Sequence, residues 1–245
     1  MLTKSQINYI NSLQTKKYRQ KYQHFVAEGD KIVQELLESH FKIHSIYAKK
    51  DWISNFKFQI SNFKLLEINE NELKKISSLT TPNQVLAIAE ISPYSIEQKN
   101  LSNKLSIALD NIQDPGNLGT IIRTADWFGI ENIFCSADCA DTFSPKVVQA
   151  SMGSIFRVKI HEVDLRDFFT KNKNVPVLGA VLDGENIFEK KFSSKGIILI
   201  GNESRGIKKE LLSFVSKKIS IPKYGKAESL NAAIATGIIC AVFNS

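Results

Sequence analysis

The feature that most restricts the fold of this chain is a regular alternation that begins at residue 105. A strand-like run at 105–110 leads through a Gly-bearing turn into a helix near 117–128, and strands near 133–135 and 157–161 flank a helix near 144–152. A helix near 165–171, strands at 177–181 and 196–201, a helix near 208–214, a strand at 218–221 and a helix at 229–243 complete the pattern. Strands joined through helices pair in parallel, because each crossover returns the chain to the same end of the sheet, and the helices then cover both faces. Such a sheet binds ligands beyond the carboxyl ends of its strands. The loops after Asp110, Val181, Gly201 and Ile221 are therefore the places to search.

The first hundred residues read differently. Residues 28–39 place Ile32, Val33, Leu36 and Leu37 on a helical stripe. Short β-like runs follow at 44–48, 64–68 and 85–91, with a helix at 70–77, which makes a small α/β unit. Residues 92–104 are polar, Pro-bearing and aperiodic, as an interdomain linker is. The expected organisation is a first domain at 1–95, a linker at 96–104 and a second domain at 105–245.

Charge and composition narrow the class. The 32 Lys and Arg exceed the 25 Asp and Glu by seven, and 43% hydrophobic with 23% charged residues excludes disordered and collagenous chains. Residues 1–27 contain Lys4, Lys16, Lys17, Arg19 and Lys21 with no acid, interleaved with Tyr9, Tyr18, Tyr22 and His24. Such a patch can meet phosphates with its cations and bases with its rings; it can equally be the solvated face of an N-terminal helix. Three cysteines, Cys135, Cys139 and Cys240, and a start without an apolar core point to a reducing, cytoplasmic setting. No run approaches the roughly 18 apolar residues that cross a bilayer, so a soluble protein without a membrane partner is expected.

Three segments carry candidate chemistry. In the first, at 109–129, Asp114-Pro115-Gly116-Asn117 forms a turn into a helix whose first turn holds Gly119 and whose second holds Arg123. Backbone N–H groups at such a helix start suit an anion, and Arg123 adds a planar cation. The plainer reading is a tight strand-to-helix connection with Asn117 as helix N-cap. Neither G-x-G-x-x-G nor a Walker loop is present, which disfavours a Rossmann oxidoreductase. In the second, at 197–207, a buried strand ends in Gly201-Asn202-Glu203-Ser204-Arg205-Gly206, with Glu203 at the ligand end as a catalyst, a cap or an ion-pair partner. In the third, at 219–243, Ile221-Pro222 closes a strand, Gly225 lies in a polar loop, and Ser229-Leu230-Asn231 opens a helix that is apolar nearly all round. A helix without a polar face must be interior or at a subunit contact, and a homodimer is the expectation. Cys135 and Cys139 lack a second ligand pair, so no metal is expected. His40 and His44 share a helical spacing without a zincin Glu, and Asp183-Gly184 reads as a turn.

Together the three segments resemble the signature motifs of the SpoU (TrmH) family of RNA 2′-O-ribose methyltransferases. The first matches through Asn111, Asp114-Pro115, Asn117, Gly119, Arg123, Ala125 and Phe128-Gly129. The second matches through Gly201, Glu203 and Gly206, and the third through Ile221-Pro222, Gly225, Ser229-Leu230-Asn231 and Gly237. The likeness spans roughly 105–245. Lys17-Tyr18-Arg19 and Phe25-Val26-Ala27-Glu28-Gly29 resemble, more weakly, a small substrate-binding domain similar to ribosomal protein L30e. Ala232-Ala233-Ile234 departs from the Val-Ser-Val frequent in the family, conservatively for a packed helix.

The resemblance implies an α/β fold with a mostly parallel sheet and a C-terminal trefoil knot of the SPOUT type, preceded by a small L30e-like α/β domain. It implies S-adenosyl-L-methionine as methyl donor, lined by Gly201, Ile221, Leu230 and Asn231 with Ala180 on the wall. It also implies a reaction centre of Arg123, Asn117, Glu203, Ser229 and Asn231. RNA contacts fall to Lys16, Lys17, Arg19, Lys21 and Arg123. The implied activity is methyl transfer to a ribose 2′-OH of structured RNA, rRNA before tRNA. The competing reading is a catalytically silent RNA-binding protein on the same fold.

Overall fold

The computed structural model describes residues 1–55, 63–92, 94–96, 101–189 and 195–243. Part of the 96–104 linker thus lies outside the described residues. The chain forms two compact units, Met1–Pro93 with Asp141–Phe156, and Tyr94–Ala140 with Arg157–Ser245.

The first unit begins with helices α1 (Lys4–Ser12) and α2 (Lys16–Tyr22) and strand β1 (His24–Glu28). Helix α3 (Asp30–Leu37), β2 (Ile43–Ala48), α4 (Lys50–Ser54), β3 (Lys64–Glu67), α5 (Glu70–Ile76) and β4 (Val85–Glu90) follow. The strands lie in the order β1-β4-β2-β3; β4 runs antiparallel to β1 and β2, and β3 is parallel to β2. Val85, Leu86, Ala87, Ile88 and Ala89 of the inner strand β4 are all buried. A strand covered on both faces reads as one continuous apolar run, as residues 85–89 do. Helices α1 and α5 each start with a capping box, Thr3 with Gln6 and Asn69 with Glu72. The same Glu72 carboxylate also accepts from the Leu2 N–H at 2.5 Å, tying the N-terminus down.

Strand β1 was not anticipated, because HFVAE follows directly on the basic patch. Phe25, Val26 and Ala27 are buried, and Glu28 accepts from the Ser77 hydroxyl and from the Ser78 N–H at 3.0 Å. His44 lies in β2, so its spacing from His40 is not helical.

In the second unit β5 (Leu105–Leu109) leads to α6 (Pro115–Trp127) and β6 (Asn132–Cys135). The chain then contributes α7 (Pro145–Ser151) and a 3-10 turn (Ser154–Phe156) to the first unit. Phe143 and Phe156 stand 4.7 and 6.4 Å from Phe25, and the Gln149 amide donates to the Glu28 carbonyl at 2.6 Å. The chain returns through β7 (Lys159–Glu162), α8 (Leu165–Lys171), β8 (Val177–Asn186), β9 (Gly196–Ile200), α9 (Lys209–Leu212), β10 (Lys217–Ser220) and α10 (Ala232–Phe243). The six strands are all parallel, in the order β10-β8-β9-β5-β6-β7. The core between sheet and helices includes Ala108, Phe134, Leu165, Phe168, Phe169, Ile197 and Leu199. Phe134 stacks on Phe168 at 4.2 Å, an aromatic pair worth about 1 kcal/mol beyond its burial.

Two features of this sheet position the site. Strands β5, β6 and β7 progress in one direction while β9 and β8 lie on the other side of β5, so the strand order reverses between β5 and β9. In an open parallel sheet the place where the strand order reverses is where ligands bind, beyond the carboxyl ends of the strands. Second, β8 continues to Asn186 rather than ending at 181. Asp183-Gly184 is therefore no turn. A Cβ on Gly184 would sit 2.4 Å from the Ile219 carbonyl carbon, so the glycine permits β10 to approach. Among the described residues no helix is long and apolar enough to cross a membrane.

Candidate active site

The site grows from the carboxyl end of β5. Asp110 is fully buried, and its carboxylate accepts from the Lys208 N–H at 2.7 Å, with the Lys208 ammonium 3.5 Å from its other oxygen. Burial pushes this carboxyl above its ordinary range, with Lys208 opposing. Lys208 also bridges to Asp138 at 2.7 Å. Asn111 follows with φ of 60°, a left-handed conformation that Asn adopts more easily than most residues.

Helix α6 is capped by Asp114, whose side chain accepts from the Asn117 N–H at 2.8 Å, and Pro115 occupies the first helical position. Asn117 is consequently not the N-cap, as the plainer sequence reading had it. The cap belongs to Asp114 because proline suits the position directly after it. That assignment releases the Asn117 side chain for longer-range bonds. Its Nδ2 donates to Glu203 Oε1 at 2.6 Å and its Oδ1 accepts from Asn231 Nδ2 at 2.8 Å.

The orientation of both amides is forced. Asn231 Oδ1 accepts from the N–H groups of Ala233 at 2.9 Å and Ile234 at 3.2 Å, capping α10, so its amino group must face Asn117. Asn117 must then offer its carbonyl to Asn231 and its amino group to the carboxylate. One relay, Glu203–Asn117–Asn231, thereby joins the loops that follow β9, β5 and β10. Helix α10 begins at Ala232, after the Ser229-Leu230-Asn231 stretch rather than with it.

The loop bearing Glu203 is itself locked. Asn202 and Gly206 exchange backbone bonds at 3.1 and 2.8 Å. The Asn202 side chain accepts from the Ser204 and Arg205 N–H groups and donates to the Asn111 carbonyl at 2.9 Å. Asn202 is a positioning residue that sequence reading passed over, since nothing local announces a partner 91 residues away. Asp114 was recognisable, because Asp followed by Pro at a helix start is an N-terminal signal.

Other anticipated residues lie apart from this relay. Arg123 is exposed on α6 in a stripe with Thr120 and Trp127, and among the described residues it has no hydrogen-bond or ion-pair partner. Ser229 and Leu230 are exposed, while Ala180 and Ile221 are half-buried. Among the described residues, 221–230 make no backbone–backbone hydrogen bond outside the sheet ladders, which suits donors and acceptors that meet a ligand. Lys16, Lys17 and Lys21 are exposed. Arg19 is not: it is 3% exposed, donates to the Leu13 carbonyl at 2.6 Å and pairs with Asp141 at 2.9 Å. A guanidinium held this way is structural, and Arg19 is not among the cations exposed to RNA. Near the β5 end, a hydrogen bond from Cys135, with further ones from Ser136 and the Ile112 N–H, pulls the Cys139 thiol down to about 7 against its burial.

The profile of the SpoU rRNA Methylase family matches residues 104–241, and that of the MRM3-like substrate binding domain matches residues 4–87. The chain is 30% identical over 230 residues to the 23S rRNA (guanosine(2553)-2'-O)-methyltransferase RlmP of Bacillus subtilis, covering 93% of this chain and 91% of that protein. A solved structure described as a putative RNA methyltransferase of the TrmH family from Porphyromonas gingivalis superposes with a TM-score of 0.89 at 35% identity, covering 99% of this chain and 98% of that one. An AdoMet-bound rRNA methyltransferase from Sinorhizobium meliloti superposes with a TM-score of 0.88 at 33% identity, covering 99% and 95%.

Proposed function

This chain belongs to the SpoU rRNA methylase family, and from that premise we propose that it transfers the methyl group of S-adenosyl-L-methionine to a ribose 2′-OH of structured ribosomal RNA. The observation that carries this reading is the Glu203–Asn117–Asn231 relay, which draws three separate loops to one edge of the parallel sheet.

The residues present fit the cofactor. An adenine needs donors and acceptors set in an apolar slot. The backbone of residues 221–230, with half-buried Ala180, Ile221 and Pro222 and 45%-exposed Leu230, offers that combination. Once bound, the cofactor supplies a methyl already activated on a sulfonium centre. The protein's remaining tasks are to align the ribose and help its hydroxyl lose a proton. Arg123 grips the phosphate beside the target ribose and lowers the hydroxyl's pKa through its charge, the proton passing to phosphate or water. A guanidinium stays protonated in proteins, so it activates electrostatically rather than as a base. Asn117, Glu203 and Asn231 hold the loops in register, with Ser229 at the ribose.

We read residues 105–245 as the methyltransferase part, with the segments around Gly201 and 221–231 forming a trefoil knot. Residues 1–95 are the RNA-capturing part, with exposed Lys16, Lys17 and Lys21 as phosphate contacts. Helix α10 contains no charged residue and leaves Ile234 56% exposed, which suits a homodimer surface. Three free cysteines suit the cytoplasm.

Two measurements test this reading. Calorimetric titration with S-adenosyl-L-methionine gives a one-site isotherm, and mass-spectrometric mapping of total RNA loses one ribose methyl when the gene is deleted. A protein that binds RNA but gives no heat with the cofactor would be a silent RNA binder instead. At the relay, Asn117→Ala leaves two polar partners unpaired and lets the loops drift. Single-turnover methylation should fall by about 10²-fold, the size typical of losing one preorganised polar contact, and an unchanged rate would remove the relay from the mechanism.

A further inference from the structure

We propose that the ring cluster at the junction of α1, α2, β1 and β2 is a stacking platform for an unpaired RNA nucleobase. The proposal rests on the methyl-transfer reading and names which form of RNA the first unit holds. Tyr18 and Tyr22 lie one helical turn apart on α2, with centroids 6.1 Å apart and planes 14° from parallel. Tyr9 meets Tyr22 edge-on at 5.2 Å. Its hydroxyl is 2.6 Å from His24 Nδ1, and the His24 ring stands 4.8 Å from that of His44. Tyr9 is half-buried and packs on the core, from which the cluster reaches the surface: Tyr18 and His24 are half-buried, Tyr22 is 38% exposed and His44 is exposed.

The surrounding charge selects a polyanion. Lys21 lies 5.3 Å from the centroid of the Tyr22 ring, Lys17 is exposed one turn earlier, and residues 1–27 hold no acid. The acid that faces the cluster from β4, Glu90, is paired with Lys42 at 2.7 Å. Burial pushes the Tyr9 hydroxyl up to about 12, so it adds no negative charge. Exposed rings beside unopposed cations are what an unstacked base and its phosphates require, whereas a duplex hides its base faces and meets only the cations.

The test uses the full-length protein and two fluorescent probes, a short labelled oligoadenylate and a blunt RNA duplex of equal length, read by anisotropy. Tyr22→Leu should weaken oligoadenylate binding roughly tenfold and duplex binding less than about twofold. Tyr22→Phe, which keeps the ring, should bind oligoadenylate within about twofold of the parent. Lys21→Gln should weaken both probes and flatten their salt dependence. Tyr18→Leu repeats the first comparison should Tyr22→Leu melt early. The platform is overturned if the leucine variants bind oligoadenylate as the parent does, if they lose both probes equally, or if the parent does not bind oligoadenylate. Cofactor calorimetry on the same samples separates the two readings: a parent that binds S-adenosyl-L-methionine keeps the methyl-transfer reading alive whatever the anisotropy shows, and one that does not bind it ends that reading independently.

Discussion

Arg123→Ala lowers single-turnover RNA methylation by about 10³-fold while cofactor affinity and melting temperature remain those of the parent protein. The two halves of this expectation come from one observation. Arg123 is exposed and has no partner among the described residues, so truncating it removes no bond among them. On the proposed reading, this guanidinium on the exposed face of α6, in a helix whose first turn supplies Asn117 to the relay, meets its partner in the substrate. Its contribution appears when negative charge develops on the ribose oxygen, and electrostatic terms of that kind are worth several kcal/mol in a desolvated site. Arg123→Lys sharpens the test. Lysine keeps the charge but loses the planar fork that meets two phosphate oxygens at once, so a rate between those of parent and alanine variant is expected. A lysine variant with full turnover would show that bidentate recognition is unnecessary, and an active alanine variant would end the assignment of Arg123 altogether.

The parts of the fold that could be read from the chain are those whose signal is local. Strands β5 and β9 are covered on both faces and show as apolar runs, interrupted in β5 only by the small Ser106, and α8 shows through the spacing of Leu165, Phe168 and Phe169. What escaped depended on partners distant in sequence. Arg19 belongs to a basic patch by composition, and only its pairing with Asp141, 122 residues on, takes it inside. Asp183-Gly184 has the composition of a turn, and only the approach of Ile219 explains the glycine. The segment Asp141–Phe156 fits the strand–helix alternation, yet its aromatic side chains pack on Phe25 in the first unit. The site divides in the same way. Glu203, Asn117 and Asn231 could be named as candidates from the ends of strands, but the relay between them follows from the reversal of strand order between β9 and β5, which no single segment encodes.

Gly201→Ala should abolish measurable cofactor binding, a loss of at least about 10²-fold, and destabilise the protein by about 3 kcal/mol. The added Cβ would lie 2.3 Å from the Gly206 carbonyl carbon, 2.4 Å from the Ile207 nitrogen and 2.5 Å from the Gly206 oxygen. All three are backbone atoms, which cannot swing aside as a side chain can, so relief must come from opening the loop. Opening separates Asn202 from Gly206 and pulls Asn202 from the Asn111 carbonyl, which carries Glu203 away from Asn117. Gly206→Ala provides the comparison. A Cβ there meets open space, but the backbone φ of 68° would strain an L-residue by about 1–2 kcal/mol. Steric exclusion at Gly201 and backbone strain at Gly206 thus predict an order, with the first variant losing more stability and more affinity than the second. Thermal melts and cofactor calorimetry on the pair read that order directly, and a Gly201→Ala protein that binds S-adenosyl-L-methionine like its parent would mean that the loop closed by Asn202 and Gly206 does not shape the cofactor site.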